Sequence, residues 1–280
     1  MTPMRESSLL CMDPHGFHHM RYVEWGEATN PRVLICVHGL TRNARDFDHL
    51  AQSLSDAYRV VCPDVVGRGR SDWLRHKADY SYPVYCTDMA ALIGKLGADT
   101  VDWVGTSMGG IIGMILASLP SSPLRKLVLN DVGSVVPKAA LERISQYVGN
   151  EPAFDSFDAL AGAIRSVSPF GHLTDEQWRH LAVHAAKQDE EGRWRFRYDP
   201  SIGEAFNGPL GDVDLRSYWN AVRGPVLVIR GAESDLLTAP ILEDMKRRPH
   251  TEALVVPNCG HPPMLMDDAQ VMAVRRFLLG

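Results

Sequence analysis

Gly105-Thr106-Ser107-Met108-Gly109 is the segment of this 280-residue chain whose residue types and spacing point most directly to chemistry. A short apolar run, 101–104, precedes it, and a glycine-containing apolar stretch of helical pattern, 107–119, follows. A G-x-S-x-G in a strand–turn–helix setting is a nucleophile elbow. The turn is so tight that the serine takes a strained backbone conformation and the residues at ±2 must be small, which Gly105 and Gly109 satisfy. Ser107 is then expected at the C-terminal edge of a sheet, with the N–H groups of a helix N-terminus behind it. A neutral serine hydroxyl needs an imidazole to take its proton. The imidazolium needs a carboxylate, and the oxyanion needs two fixed N–H donors. His180 and His184, i,i+4 with Glu176 one turn earlier, have a spacing that suits zinc. There is no H-E-x-x-H, so they read as a solvated helix face, and no metal is expected. The lone Gly67-Arg68-Gly69 lacks the lysine and helix of a phosphate loop.

The elements that must position these groups alternate along the chain. Segments 9–12 and 19–25 flank the turn Asp13-Pro14-His15-Gly16, a hairpin signal. The run 32–37 is continuously apolar, as a strand buried on both faces is. Helical patterns at 44–55, 80–96 (closed by Gly97), 107–119, 239–246 and 267–279 alternate with apolar strands at 58–62, 101–104, 124–129, 225–229 and 252–256. This alternation predicts an α/β fold: a mostly parallel, doubly wound sheet with helices on both faces. Residues 134–222 break the pattern with helical stretches at 139–148, 157–166 and 174–188 and the aromatic-rich 194–198. The expected division is a core of 1–133 and 223–280 with a helical cap, 134–222, inserted before the last two strands.

The chain resembles a capped, serine-esterase-like member of the α/β-hydrolase fold superfamily over nearly all its length. His38-Gly39-Leu40 stands where that family has its H-G-x loop. Asp64-Val65-Val66-Gly67-Arg68-Gly69-Arg70-Ser71 is similar to the D-x-x-G-x-G-x-S loop, and the elbow, Arg230-Gly231-Ala232-Glu233-Ser234-Asp235 and Gly260-His261 follow in order. The resemblance implies a triad of Ser107, Asp235 and His261. Asp131, directly after the strand 124–130, is the rival acid, and Asp64 is expected to tie its own loop together. The implied oxyanion donors are the backbone N–H groups of Leu40 and Met108. Trp178, Trp194 and Tyr198, chosen for size and place in the cap, are the candidate substrate-binding side chains.

Composition narrows the function. With 29 Lys+Arg against 34 Asp+Glu the net charge is −5, and no basic face suggests nucleic acid as a partner. The longest apolar stretch, 111–117, is too short to span a bilayer. No secretory leader is visible, and five irregularly spaced cysteines fit a reducing cytoplasm better than a disulfide framework. The expectation is a cofactor-free hydrolase that cleaves a small or medium carboxylic ester through an acyl-enzyme. Within the family, C–C bond hydrolysis of meta-cleavage products, lactone hydrolysis and cofactor-free perhydrolysis share the same triad. A non-catalytic receptor on the same fold is the alternative of another class. Serine at 107 excludes mechanisms that use an aspartate nucleophile there.

Overall fold

The structure is a computed structural model and describes residues 4–280. Strands β1 (Arg5–Asp13) and β2 (Gly16–Trp25) form an antiparallel hairpin, longer than the apolar pattern alone predicts. Their register pairs Asp13 with Gly16 and leaves Pro14-His15 as a two-residue turn. Strand β3 (Val33–Val37) is buried at all five positions. A 3₁₀ turn (Ala44–Phe47) leads into α1 (Asp48–Leu54), and β4 (Arg59–Pro63) follows. Helix α2 (Tyr82–Leu96) ends at Gly97, whose φ of +67° is the left-handed closing turn that glycine favours. Strand β5 (Val101–Thr106), helix α3 (Met108–Ser118) and strand β6 (Leu124–Asn130) complete the first part.

The chain then leaves the sheet. Strand β7 (Val135–Val136) is followed by helices α4 (Lys138–Ser145), α5 (Phe157–Val167) and α6 (Asp175–Ala185). Helix α6 opens with a reciprocal cap between Thr174 and Gln177. It stops at Ala185 rather than running to 188, because β8 (Ala186–Gln188) pairs antiparallel with β9 (Trp194–Phe196) from the aromatic stretch. Strand β10 (Val213–Asp214) pairs with β7, so the two ends of the excursion meet, and α7 (Arg216–Ala221) leads back. Strand β11 (Val226–Gly231), helix α8 (Ala239–Met245), strand β12 (Thr251–Val256) and helix α9 (Asp268–Leu279) finish the core.

The main sheet has eight strands in the order β1-β2-β4-β3-β5-β6-β11-β12. The β1–β2 and β2–β4 pairs are antiparallel and the others parallel. Alternate side chains of β3 enter opposite core layers, as the two-residue strand period requires. Val33, Ile35 and Val37 join the layer that holds Met89 and Leu92 of α2 and Ile112 of α3. Leu34 and Cys36 join the layer under α1 and α9, with Leu50, Val274 and Phe277. Helix α3 is apolar almost all round and lies in the interior. All five cysteines are free thiols. Among the described residues no helix is long and apolar enough to cross a membrane.

Candidate active site

The β5–α3 turn places Ser107 at φ 51°, ψ −115°. A Cβ on Gly105 would stand 2.2 Å from the Gly109 carbonyl oxygen, and one on Gly109 would stand 2.0 Å from that of Val37. Only glycine fits at either place, so the elbow is a steric consequence of packing α3 against β3 and β5. The Ser107 N–H donates to the Asn130 carbonyl (2.9 Å), which ties the turn to the end of β6.

His261 meets Ser107 from the loop after β12, with Nε2 3.0 Å from the hydroxyl oxygen. Its Nδ1 lies 2.8 Å from Oδ2 of Asp131. The hydrogen-bond pattern therefore places a proton on Nδ1, which donates to the carboxylate, and leaves Nε2 as acceptor for the serine hydroxyl. Asp131 follows β6 directly and is fully buried. Its own backbone is left-handed (φ 58°), and its Oδ1 accepts the Gly231 N–H at 2.9 Å.

Asp235, expected under the histidine, is elsewhere. It is 43% exposed, and Arg143 of α4 holds it from above, Nε to Oδ2 at 2.6 Å and a terminal nitrogen to Oδ1 at 2.9 Å. This guanidinium keeps the Asp235 carboxyl below the usual range despite partial burial. The correction has a simple cause. Strand β6 lies directly beside β5 and the residue after it is already under the ring, whereas the loop after β11 is claimed by the excursion.

The peptide that carries the Leu40 N–H is pinned through its carbonyl. Gly39 O accepts from His38 Nδ1 at 2.7 Å and from the Arg42 N–H at 3.1 Å. In a planar trans peptide the N–H then points the opposite way. His38 is held in turn by the Val65 N–H on its Nε2 (2.9 Å). Burial drives its pKa down to about 3, so the ring is neutral. The Met108 N–H opens α3, where it has no acceptor within the helix. Behind both stands Arg68, a fully buried cation. It donates to the carbonyls of Leu40 and Val66, both at 2.8 Å, and to the Tyr85 hydroxyl at 3.0 Å, and it reaches the Met108 sulfur at 3.5 Å. The G-x-G here is thus the backbone around an inward arginine. Asp64 binds the Ala44 and Arg70 N–H groups (2.8 and 2.9 Å), and burial raises its pKa to about 6.

Ser107 and His261 open into a cavity of about 370 Å³ between the sheet edge and the excursion. Leu40, Arg42, Arg143, Tyr147, Phe170, Phe196 and Tyr198 line it. Of the three aromatic candidates, Tyr198 is in the wall. Trp178 stacks behind Phe170 (ring centroids 5.6 Å apart), and Trp194 packs edge-on against Phe157 (5.4 Å) inside the excursion's own core. Sequence reasoning did not single out Phe170, Phe196 or Tyr147 as wall; their only signal was being aromatic. His180 and His184 adjoin Asp48 rather than Glu176, and His180 Nε2 donates to the Arg45 carbonyl at 2.9 Å.

The sheet order, the elbow and the serine–histidine–aspartate chain define an α/β-hydrolase, and residues 32–268 match the alpha/beta hydrolase fold family. The chain belongs to that family and is a hydrolase. It is 46% identical over 281 residues to a 3-hydroxybutyrate-oligomer hydrolase from Cupriavidus necator, covering 96% of each chain. It is 27% identical to the Mycobacterium tuberculosis esterase Rv0045c, covering 81% of this chain and 74% of that one. A crystal structure of an alpha/beta hydrolase from Novosphingobium aromaticivorans superposes with a TM-score of 0.88 at 35% identity, over 100% of this chain and 99% of that one.

Proposed function

We propose that the protein is a serine esterase that hydrolyses short oligoesters of the 3-hydroxyalkanoate kind through an acyl-enzyme on Ser107. The observation that carries this reading is the His261 ring, bonded to Asp131 on one nitrogen and to Ser107 on the other, at the floor of a cavity. In the first step His261 Nε2 takes the hydroxyl proton as Ser107 Oγ bonds to the ester carbon. Asp131 offsets the imidazolium and keeps its tautomer. The Leu40 and Met108 N–H groups receive the oxyanion, each contributing roughly 3 kcal/mol to transition-state stabilisation. Collapse breaks the C–O bond, and His261 returns the proton to the leaving alcohol. Water, deprotonated by the same nitrogen, then releases the acid and restores Ser107.

The substrate class rests on the Cupriavidus relative, whose name gives 3-hydroxybutyrate oligomers as what it hydrolyses. A mainly apolar wall suits the methyl and methylene groups of such a chain. Residues 134–222 act as the cap that supplies this wall.

Purified protein incubated with 3-hydroxybutyrate dimer and trimer should release monomer, and a fluorophosphonate should label one site. Ser107→Ala should lower kcat by about 10³–10⁶-fold and abolish labelling while the fold is retained. Labelling of the alanine variant at the wild-type rate would overturn the nucleophile. Turnover of p-nitrophenyl esters without turnover of the oligomers would overturn the substrate class.

A further inference from the structure

Helix α2 turns a stripe of Tyr85, Met89, Leu92 and Leu96 inward, and a carboxylate, Asp88, is buried with it. Asp88 is fully buried. It packs toward the β1–β2 hairpin, where the register sets Cys11 directly opposite His18. His18 Nε2 lies 2.9 Å from Asp88 Oδ2, and His18 Nδ1 lies 3.1 Å from Asp13 Oδ2. The second Asp88 oxygen, Oδ1, is buried and meets no N–H or O–H donor, and besides His18 only the Cys11 thiol approaches the carboxylate. Buried carboxylate oxygens are rarely left so. One ligand-type atom each from Cys11, His18 and Asp88 lies within 4.8 Å of the others, and all three residues are buried.

We propose that Cys11, His18 and Asp88 bind one divalent transition-metal ion of the zinc type, which ties the hairpin to α2. Thiolate, imidazole and carboxylate are the three side-chain ligands zinc accepts, and around a tetrahedral ion they stand roughly 3.3–3.6 Å apart. Binding requires the His18–Asp88 pair, now 2.9 Å apart, to open by about half an ångström, and the Cys11 sulfur, within 4.8 Å of both, to close by up to about 1.5 Å. Asp13 completes the arrangement from outside: a carboxylate on Nδ1 fixes the ring with Nε2 toward the metal. Thiolate is the ligand form of cysteine, so the ion displaces the Cys11 thiol proton when it binds. The Asp48, His180 and His184 cluster is a weaker candidate, because Arg45 already holds both Asp48 oxygens.

The test is titration of chelator-stripped, full-length protein with Co²⁺ and Zn²⁺. The expected result is one ion per chain, a thiolate-to-cobalt charge-transfer band, proton release on binding Zn²⁺ and a higher Tm with metal. Cys11→Ser should abolish the band, and Cys11→Ser and His18→Gln should each weaken binding by at least tenfold. The wild-type band and proton release do not depend on either variant folding. No binding, binding without the thiolate band, or a band that persists in Cys11→Ser would each overturn the site.

Discussion

A carboxylate that serves an imidazolium acts through a fixed distance, and the two aspartates near this histidine differ most in how they are held. Asp131 is buried and anchored by the Gly231 N–H; Asp235 is half exposed and answers to Arg143. Asp131→Asn should therefore lower kcat by roughly 10²–10⁴ in an ester assay, whereas Asp235→Asn should change it less than about tenfold. The reverse ranking in two folded variants would return the acid to Asp235. His38 makes a second prediction at this scale. Its pKa is near 3 in the folded chain, against 6.5 for the free side chain. Between those values the unfolded chain binds the proton and the folded chain does not, so stability is lost as pH falls. The slope is about 1.4 kcal/mol per pH unit once pH is well below 6.5. Urea unfolding of wild type and His38→Gln at pH 7, 6 and 5 should show the gap between them narrowing as pH falls. A constant gap would mean that His38 is not buried neutral. Ser107 and His261 were legible because their neighbours are dictated by sterics and turn. The aspartate under the ring was not, since both candidates follow strands, and only the packed structure shows His261 on Asp131 and Arg143 on Asp235.

At the scale of elements, the elbow depends on how closely α3 approaches β3. Gly109→Ala forces a methyl group to 2.0 Å from the Val37 carbonyl oxygen, inside any tolerable contact, and should lower the urea midpoint sharply or prevent soluble expression. Gly94 in α2 is the contrast, since a Cβ there meets nothing within 4 Å. Gly94→Ala should stabilise by about 0.5–1 kcal/mol, read from the same unfolding curve. The parallel core strands and their helices follow from apolar runs and period, which is why they could be read in advance. Strands β8 and β9 could not, because a three-residue strand has no period and Ala186-Lys187-Gln188 continues the helical pattern of α6. The Cys11, His18 and Asp88 cluster was hidden for a related reason. It is joined only by hairpin register and by the packing of a helix some 70 residues on, and neither leaves a short motif.

Across the whole molecule, Ser107, Asp131 and His261 come from the sheet and its loops, and the excursion carries most of the cavity wall. Phe196→Ala should shift preference along a p-nitrophenyl ester series of increasing acyl length by about 1–3 kcal/mol per misfitted group, with the shortest ester retained. Trp178→Ala should lower Tm instead and leave the length preference nearly alone, because its ring backs Phe170 rather than facing the cavity. Equal changes in preference from both would mean that the wall is set by packing of the excursion as a whole.

Thr106 and Asn130 are partners in the β5–β6 register, so Ser107 and Asp131 are each the residue just past the same rung of one ladder. Ser107 and Asp131 both precede residues 134–222 in the chain, whereas His261 and the Gly231 N–H that anchors Asp131 come after them. The Ser107–Asp131 spacing is thus set by one rung of the sheet, while the His261 loop also leans on the excursion, where the Gly260 N–H donates to the Pro169 carbonyl at 2.7 Å. A change in the upper layer would therefore be felt at the histidine before it is felt at the serine or the aspartate.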